Sequence, residues 1–206
     1  MNSTNHLGEI TKLPRGFRSD ATIIGSAGDI NLKGIPEGTD VYAINSAYFY
    51  LEQHNMAPLA LITGDRRFII RAGLEKMREV SKVVTFYDRN ESKNKSLFDM
   101  CPSIDMYNCI GRDGFSSDAT AGFYHGCSSF FLAIQYLISV GYKRINTLGI
   151  KFPPPELYTR LNGISGHPEF VYNIQLGNLA ALKKFLIDTN TEINCLDTDS
   201  NLKIFL

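Results

Sequence analysis

The chain has 206 residues, 44% hydrophobic and 20% charged, the size and composition of one globular domain. Its 21 Lys+Arg balance 21 Asp+Glu to a formal charge of zero, so the basic excess of a nucleic-acid binder is missing. Four widely spaced cysteines (Cys101, Cys109, Cys127, Cys195) make no C-x-x-C pair, which argues against a zinc site and for reduced thiols.

In chain order, residues 1–20 read as a flexible N-terminal arm: they lack the apolar stretch of a signal peptide, and their basic cluster (Lys12, Arg15, Arg18) is short. Residues 21–206 read as a single α/β domain with a short lid at about 152–167. Ala21-Thr22-Ile23-Ile24 is an apolar, β-branched run of the kind buried in parallel sheets, closed by a tight turn from Gly25 to Asp29. Asp40–Ile44 is a second strand, ending at Asn45-Ser46, and Ala47–His54 a short aromatic helix. Leu59–Thr63 is a third strand, ending at Gly64-Asp65; a helix over Arg67–Val80 and a strand over Lys82–Tyr87 follow. The polar run 88–102 reads as a surface loop and Ile104–Ile110 as extended.

The apolar pattern 121–140 predicts one long helix, and His125, Ser128, Ser129 and Gln135 within it argue for burial in protein rather than in a membrane. On that helix His125 reads as a satisfied core residue. A strand over Arg144–Ile150 precedes Pro153-Pro154-Pro155, which fits neither a helix interior nor a central ladder. Phe152–Tyr158 reads as a flap, Pro168–Leu186 as a helix, Glu192–Leu196 as a strand and Leu202–Leu206 as an extended tail. Strand–helix alternation of this kind predicts an open, three-layer, Rossmann-like α/β fold with a mostly parallel sheet.

Small and polar residues recur at the C-terminal ends of these strands: Gly25-Ser26-Ala27-Gly28, Asn45-Ser46, Thr63-Gly64, Thr120-Ala121-Gly122 and Gly149. Such ends converge on one crevice in a parallel sheet, and helix N-termini there bind phosphate through backbone N–H groups. Gly25 and Gly28 give only G-x-x-G, short of the dinucleotide fingerprint, and every βα turn needs such residues for capping. His167, in Gly166-His167-Pro168 at a loop-to-helix junction, is the candidate acid–base group, because imidazole titrates near neutral pH. Tyr158 and Arg160 in the lid are placed to reach an anionic ligand. Asp197-Thr198-Asp199 has the D-x-D form of some metal sites but reads as a turn after the last strand, so no metal site is expected.

These pieces, in this order, resemble the bacterial lipooligosaccharide sialyltransferases, glycosyltransferase family 42. Ile23–Asp29 is similar to the family's opening strand and G-N-G-P-S loop, and Ala43–Phe49 to its C-N-Q-F-Y-F segment. Thr120-Ala121-Gly122 with the following helix and Gly141-Tyr142-Lys143-Arg144-Ile145 resembles its T-S-G helix and G-Y-K-E-I strand. Leu148–Phe152 resembles S-G-I-D-F, Gly166-His167 the I-G-H carrying the base, and Cys195–Ser200 the C-L-C-P-N-S segment.

The resemblance implies a GT-A-like variant of the fold and inverting, metal-independent sugar transfer from a CMP-sugar to a glycan or glycolipid acceptor. The donor is a substrate and no cofactor is implied. Carried over by position, Gly25, Ser26, Ala27, Gly28, Asn45, Ser46, Thr63, Gly64, Thr120, Ala121 and Gly122 line the CMP site, and Gly149 allows the nucleotide to approach closely. His167 deprotonates the acceptor hydroxyl. A lipid-linked acceptor places the work in the cytoplasm, at the inner face of the cytoplasmic membrane, and family members form oligomers. The chain departs from the pattern at Ser26, Gly28, Asp29, Asp118, Lys151 and Ile164, which widens the donor to another CMP-activated acidic sugar such as Kdo, or to a different nucleotide sugar. Two other readings stay open: a pterin-type pyrophosphokinase, which needs ATP and a divalent metal, and a non-catalytic nucleotide or sugar binder.

Overall fold

The computed structural model describes residues 18–27, 30–101, 103–152 and 169–206. The strands are β1 (Asp20–Ile24), β2 (Asp40–Ile44), β3 (Ala60–Ile62), β4 (Val83–Phe86), β5 (Ile104–Tyr107), β6 (Cys109–Gly111), β7 (Phe123–Tyr124), β8 (Arg144–Leu148) and β9 (Glu192–Cys195). The helices are α1 (Ala47–Gln53), α2 (Arg66–Ala72), α3 (Leu74–Glu79), α4 (Glu91–Met100), α5 (Ser129–Ser139), α6 (Glu169–Ile187) and α7 (Leu202–Phe205).

Seven strands form one sheet in the order β5-β4-β3-β2-β1-β8-β9, every pair parallel, and β6 and β7 form a small parallel pair beside it. The chain winds outward from β1 to β5, then returns to the other side of β1 as β8 and β9. The switch of direction therefore falls between β1 and β8.

Both faces of the sheet are apolar, as a parallel sheet covered on two sides requires. Ile24, Ala43, Leu61 and Val83 turn to one face and pack under α1, α2, α3 and α4. Their neighbours Ile23, Ile44, Ile62 and Val84 turn to the other, under α5, α6 and α7. The predicted three-layer, mostly parallel α/β architecture is the one found.

Four element assignments change. The predicted loop 88–102 holds α4: Asn90 accepts from the Ser92 N–H as its N-cap, and Leu97 and Asn94 are buried despite the polar sequence. The predicted helix 67–80 is α2 and α3, split at Gly73, whose φ of 83° is not helical. The tail is the short helix α7, because the Ser200 hydroxyl accepts from the Leu202 N–H and Leu202 is buried. The long helix predicted from 121 starts only at Ser129. Gly126 and Cys127 have φ of 56° and 55°, which break any helix, and Ser128 is the extended N-cap, accepting from the Phe130 N–H.

Candidate functional site

At the switch point β1 and β8 leave the sheet almost in contact. The Gly25 N–H donates to Leu148 O at 2.7 Å and the Ala27 N–H to Gly149 O at 3.2 Å. A Cβ on Gly25 would stand 2.2 Å from Gly149 O. Gly149 has φ 72° and answers from the other side, with Gly25 O 3.0 Å from its own ideal Cβ. The close approach that Gly149 permits is thus to the Gly25 backbone.

The turn after β8 is strapped by the residues after β9. Asp197 accepts from the Gly149 and Ile150 N–H groups at 3.0 and 3.2 Å, one on each carboxylate oxygen. Ser200 donates to Ile150 O, and Asn201 donates from its backbone to Lys151 O and from its amide to Phe152 O. The D-x-D triplet is therefore a structural clamp, and among the described residues no cluster of His, Cys, Asp and Glu is arranged to hold a metal ion. Phe152, predicted as the start of a flap, is buried against Phe130 and Phe131 with ring centroids 5.4 and 5.9 Å away.

The ends of β2 and β3 are tied to the start of α5. Asn45 holds φ 51°, a conformation asparagine tolerates, and its Oδ1 accepts from the Ser129 hydroxyl at 3.3 Å. The same Ser129 oxygen accepts from the Gly64 N–H at 2.9 Å. Between these walls lies a cavity of about 320 Å³. Its β1 and β8 side carries Gly25, Ser26, Gly149, Ile150, Lys151 and Phe152. Ile44, Asn45, Gly64, Asp65 and Arg67 line the β2 and β3 side. His125, Cys127, Ser128, Ser129 and Phe130 come from the approach to α5, and Val171 and Gln175 from α6.

Two cations stand along this lining. Arg67 is exposed and pairs with Asp65, while Lys151 is largely covered and pairs with Asp199 at 2.9 Å. Among the described lining residues Asp65 is the one carboxylate, and it is already committed to the Arg67 N–H as the cap of α2. The N-terminus of α5 adds its partial positive charge. The described lining is thus polar and rich in hydrogen-bonding groups, with each of its two cations paired to a carboxylate.

His125 lies in the turn before α5 rather than on a helix. Its ring stacks on Phe86 at 5.5 Å and its Nδ1 accepts from the Cys127 N–H at 3.0 Å. Burial pushes its pKa below the ordinary histidine value, opposed by a backbone hydrogen bond with Gly64 and the Asp65 charge. Burial pushes the Cys127 thiol up, so it is not poised as a thiolate nucleophile.

Of the residues singled out from sequence, Gly25, Ser26, Asn45, Gly64 and Gly149 come together in this lining. Ala27, Ser46 and Thr63 sit at the same strand ends but outside it: Ala27 bonds to Gly149, Ser46 opens α1, and the Thr63 hydroxyl is held by the Asp65 backbone. Thr120, Ala121 and Gly122 stand elsewhere. They form a turn held by Asp118, which accepts from the Thr120 and Ala121 N–H groups, and they do not line the cavity. The place expected for them, at the start of the helix, belongs to Ser128 and Ser129. Gly28, Tyr158, Arg160 and His167 lie outside the described residues, as do the lid from 153 and the arm to 17. Sequence reading missed Ser128 and Ser129 as site residues by running the helix back through Gly126; the usable signal was a serine N-cap directly before an unbroken apolar run.

The chain is a Rossmann-like α/β domain, an open parallel sheet with a polar cavity at its switch point. No protein-family model matches the chain, and no curated protein matches it. Solved structures do. The sialyltransferase CstII from Campylobacter jejuni, in complex with the substrate analogue CMP-3FNeuAc, superposes with a TM-score of 0.52 at 15% identity over 91% of this chain and 84% of that one. The sialyltransferase CST-II in complex with trisaccharide acceptor and CMP gives 0.53 at 17% identity, again over 91% and 84%. The monofunctional alpha-2,3-sialyltransferase Cst-I from Campylobacter jejuni gives 0.51 at 16% identity over 92% and 79%. At these identities the likeness is one of fold. Among the described residues no helix is long and apolar enough to cross a membrane.

Proposed function

We propose that the protein is a glycosyltransferase that moves an acidic sugar, of sialic acid or Kdo type, from its CMP-activated form to a glycan hydroxyl, with inversion and without a metal ion. The observation that supports this most is the polar cavity at the β1–β8 switch, set in a fold shared with a sialyltransferase that holds CMP and a trisaccharide acceptor. In this reading Ser26, Asn45, Ser128 and Ser129 meet the nucleotide with hydroxyl, amide and backbone groups. Lys151 and Arg67 face the charge of the donor. His167 takes the proton of the acceptor hydroxyl as its oxygen bonds to the anomeric carbon, and CMP leaves with the electron pair of the broken bond. Negative charge growing on the leaving phosphate is met by the cations and the α5 N-terminus. Tyr158 and Arg160 are assigned to the acceptor side or the sugar acid. A lipid-borne glycan at the cytoplasmic membrane face is the acceptor this reading favours.

Thermal shift with CMP, UMP, AMP and GMP, each with magnesium and with EDTA, tests the donor class. A CMP-selective rise that EDTA leaves unchanged is expected, and a magnesium-dependent adenine-nucleotide rise would overturn the reading. In a CMP-sugar transfer assay, His167→Ala should lower turnover by about 10²–10⁴ while CMP still binds. Full turnover in that variant would remove His167 as the base.

A further inference from the structure

We infer that His125 is a positioning residue: its neutral imidazole latches the turn that brings Ser128 and Ser129 to the ends of β2 and β3. The inference rests on the reading of this cavity as the nucleotide site.

A backbone N–H can only donate, so the 3.0 Å contact from Cys127 N makes Nδ1 the acceptor and leaves the ring proton on Nε2. A side-chain acceptor bonded to the N–H two residues on is the geometry of an Asx turn, reproduced here with a longer, flat ring. The latch is needed because the turn is unfavourable by itself. Gly126 and Cys127 are consecutive left-handed residues, and Cys127 bears a side chain there. A Cβ on Gly126 would meet the Phe131 ring at 2.3 Å, so the turn is also pressed tightly against α5.

Backbone bonds from His125 N–H to Gly111 O and from Gly126 N–H to Arg112 O fix the chain on entry. On the exit side the Cys127 N–H is held by Nδ1 and Cys127 O by the Gln175 amide. One residue further, Ser128 caps α5, and Ser129 joins Asn45 to the Gly64 N–H. Losing the Nδ1 acceptor therefore loosens the part of the cavity wall built by Ser128 and Ser129, beyond any change at the His125 ring itself.

Protonating Nδ1 sets a second donor against the Cys127 N–H and opens the latch. Among the described residues the charged groups around the ring are few: Asp65 acts on it from the start of α2, Arg67 and Lys151 line the same cavity, and Arg112 and Asp113 act on Cys127. From β4 it meets Phe86, and from α6 the cavity receives Val171 and Gln175. Burial keeps the ring neutral at pH 7. The wall should thus be firm at neutral pH and loosen in acid.

Two variants separate the acceptor from the ring. His125→Phe keeps a flat ring beside Phe86 but loses both the Nδ1 acceptor and the ring's hydrogen bond with the Gly64 backbone, while His125→Asn restores only an acceptor for the Cys127 N–H and gives up the stack. The first readout, amide hydrogen exchange at Gly64, Cys127 and Ser128, needs no ligand. Protection should fall about tenfold in His125→Phe, the worth of one hydrogen bond, and return at Cys127 and Ser128 in His125→Asn. The second is CMP affinity by calorimetry from pH 5.5 to 8. All three proteins should lose affinity as the CMP phosphate protonates near pH 6; the wild type should lose more than either variant, in the range below the ordinary histidine value where the folded ring takes up its proton. Equal protection at Cys127 and Ser128 in His125→Phe and wild type would overturn the inference, and so would an identical pH dependence of CMP affinity in the two proteins. Should His125→Phe not fold, an Nδ1-protonated imidazole in the wild-type nitrogen NMR spectrum at pH 7.5 would overturn it equally. An exchange pattern as expected, with no binding of CMP, would support the latch and sink the CMP-sugar reading.

Discussion

Gly25 has no space for a side chain where it crosses Gly149, whose positive φ of 72° and 3.0 Å approach to Gly25 O disfavour one there too, and both line the cavity. Gly25→Ala forces a Cβ into Gly149 O, so β1 and β8 must part; the expected cost is about 1–3 kcal/mol, read from the urea midpoint. Asp197→Asn leaves at most one of the Gly149 and Ile150 N–H groups with an acceptor, at about 1–3 kcal/mol. Wild-type stability and a loss confined to ligand binding would show the clamp to be dispensable to the fold. For His125 the sign follows from its lowered pKa: the unfolded chain takes up the proton first as pH falls. The stability gained by keeping the ring neutral is full above pH 6.5, the value of a free imidazole, and is lost from there down to the lower folded value. Urea midpoints should therefore fall in that window, and the contribution should be missing from His125→Phe.

At the scale of elements, α5 explains most about the site. Phe130, Phe131, Leu132, Ala133, Ile134 and Leu137 are all buried, so the helix is apolar around most of its circumference and is fixed in position by packing. Its depth makes Ser128 and Ser129 dependable as a wall. Leu132→Ala, a fully buried truncation, should cost about 2–5 kcal/mol with an unchanged denaturant slope. The apolar run of this helix was plain in the sequence, but its start was not. A hydrophobic pattern does not register two left-handed residues, and the period ran back through His125 as though the backbone were continuous. The opposite error hid α4, whose polar sequence carries little periodicity and whose stability comes from the Asn90 cap and the burial of Leu97.

Across the whole molecule, winding out from β1 and back to β8 collects groups from distant parts of the chain into one crevice. Asn45 and Ser129, 84 positions apart, share a hydrogen bond, and Asp197 clamps residues 48 and 47 positions before it. A ligand in that crevice braces both halves of the sheet at once. At a hundred times its dissociation constant, CMP should raise the unfolding free energy by about 2.7 kcal/mol. In Ser129→Ala, at the same CMP concentration, that gain should shrink, since the variant cuts the tie between Asn45 and Gly64. An undiminished gain would show that the tie plays no part in binding.

By itself the sequence determined the class of fold and five of the cavity residues: Gly25, Ser26, Asn45, Gly64 and Gly149. Short β-branched runs closing on glycine or asparagine are local signals, and the strand ends of a parallel sheet must meet on one edge. Tertiary structure decided the rest. That Asp197 is a clamp, that Ser129 rather than Thr120 reaches the strand ends, and that His125 turns to the cavity all depend on pairs far apart in the chain. A hydrogen bond across such a distance leaves no periodicity behind, because its partners are chosen by how the layers pack.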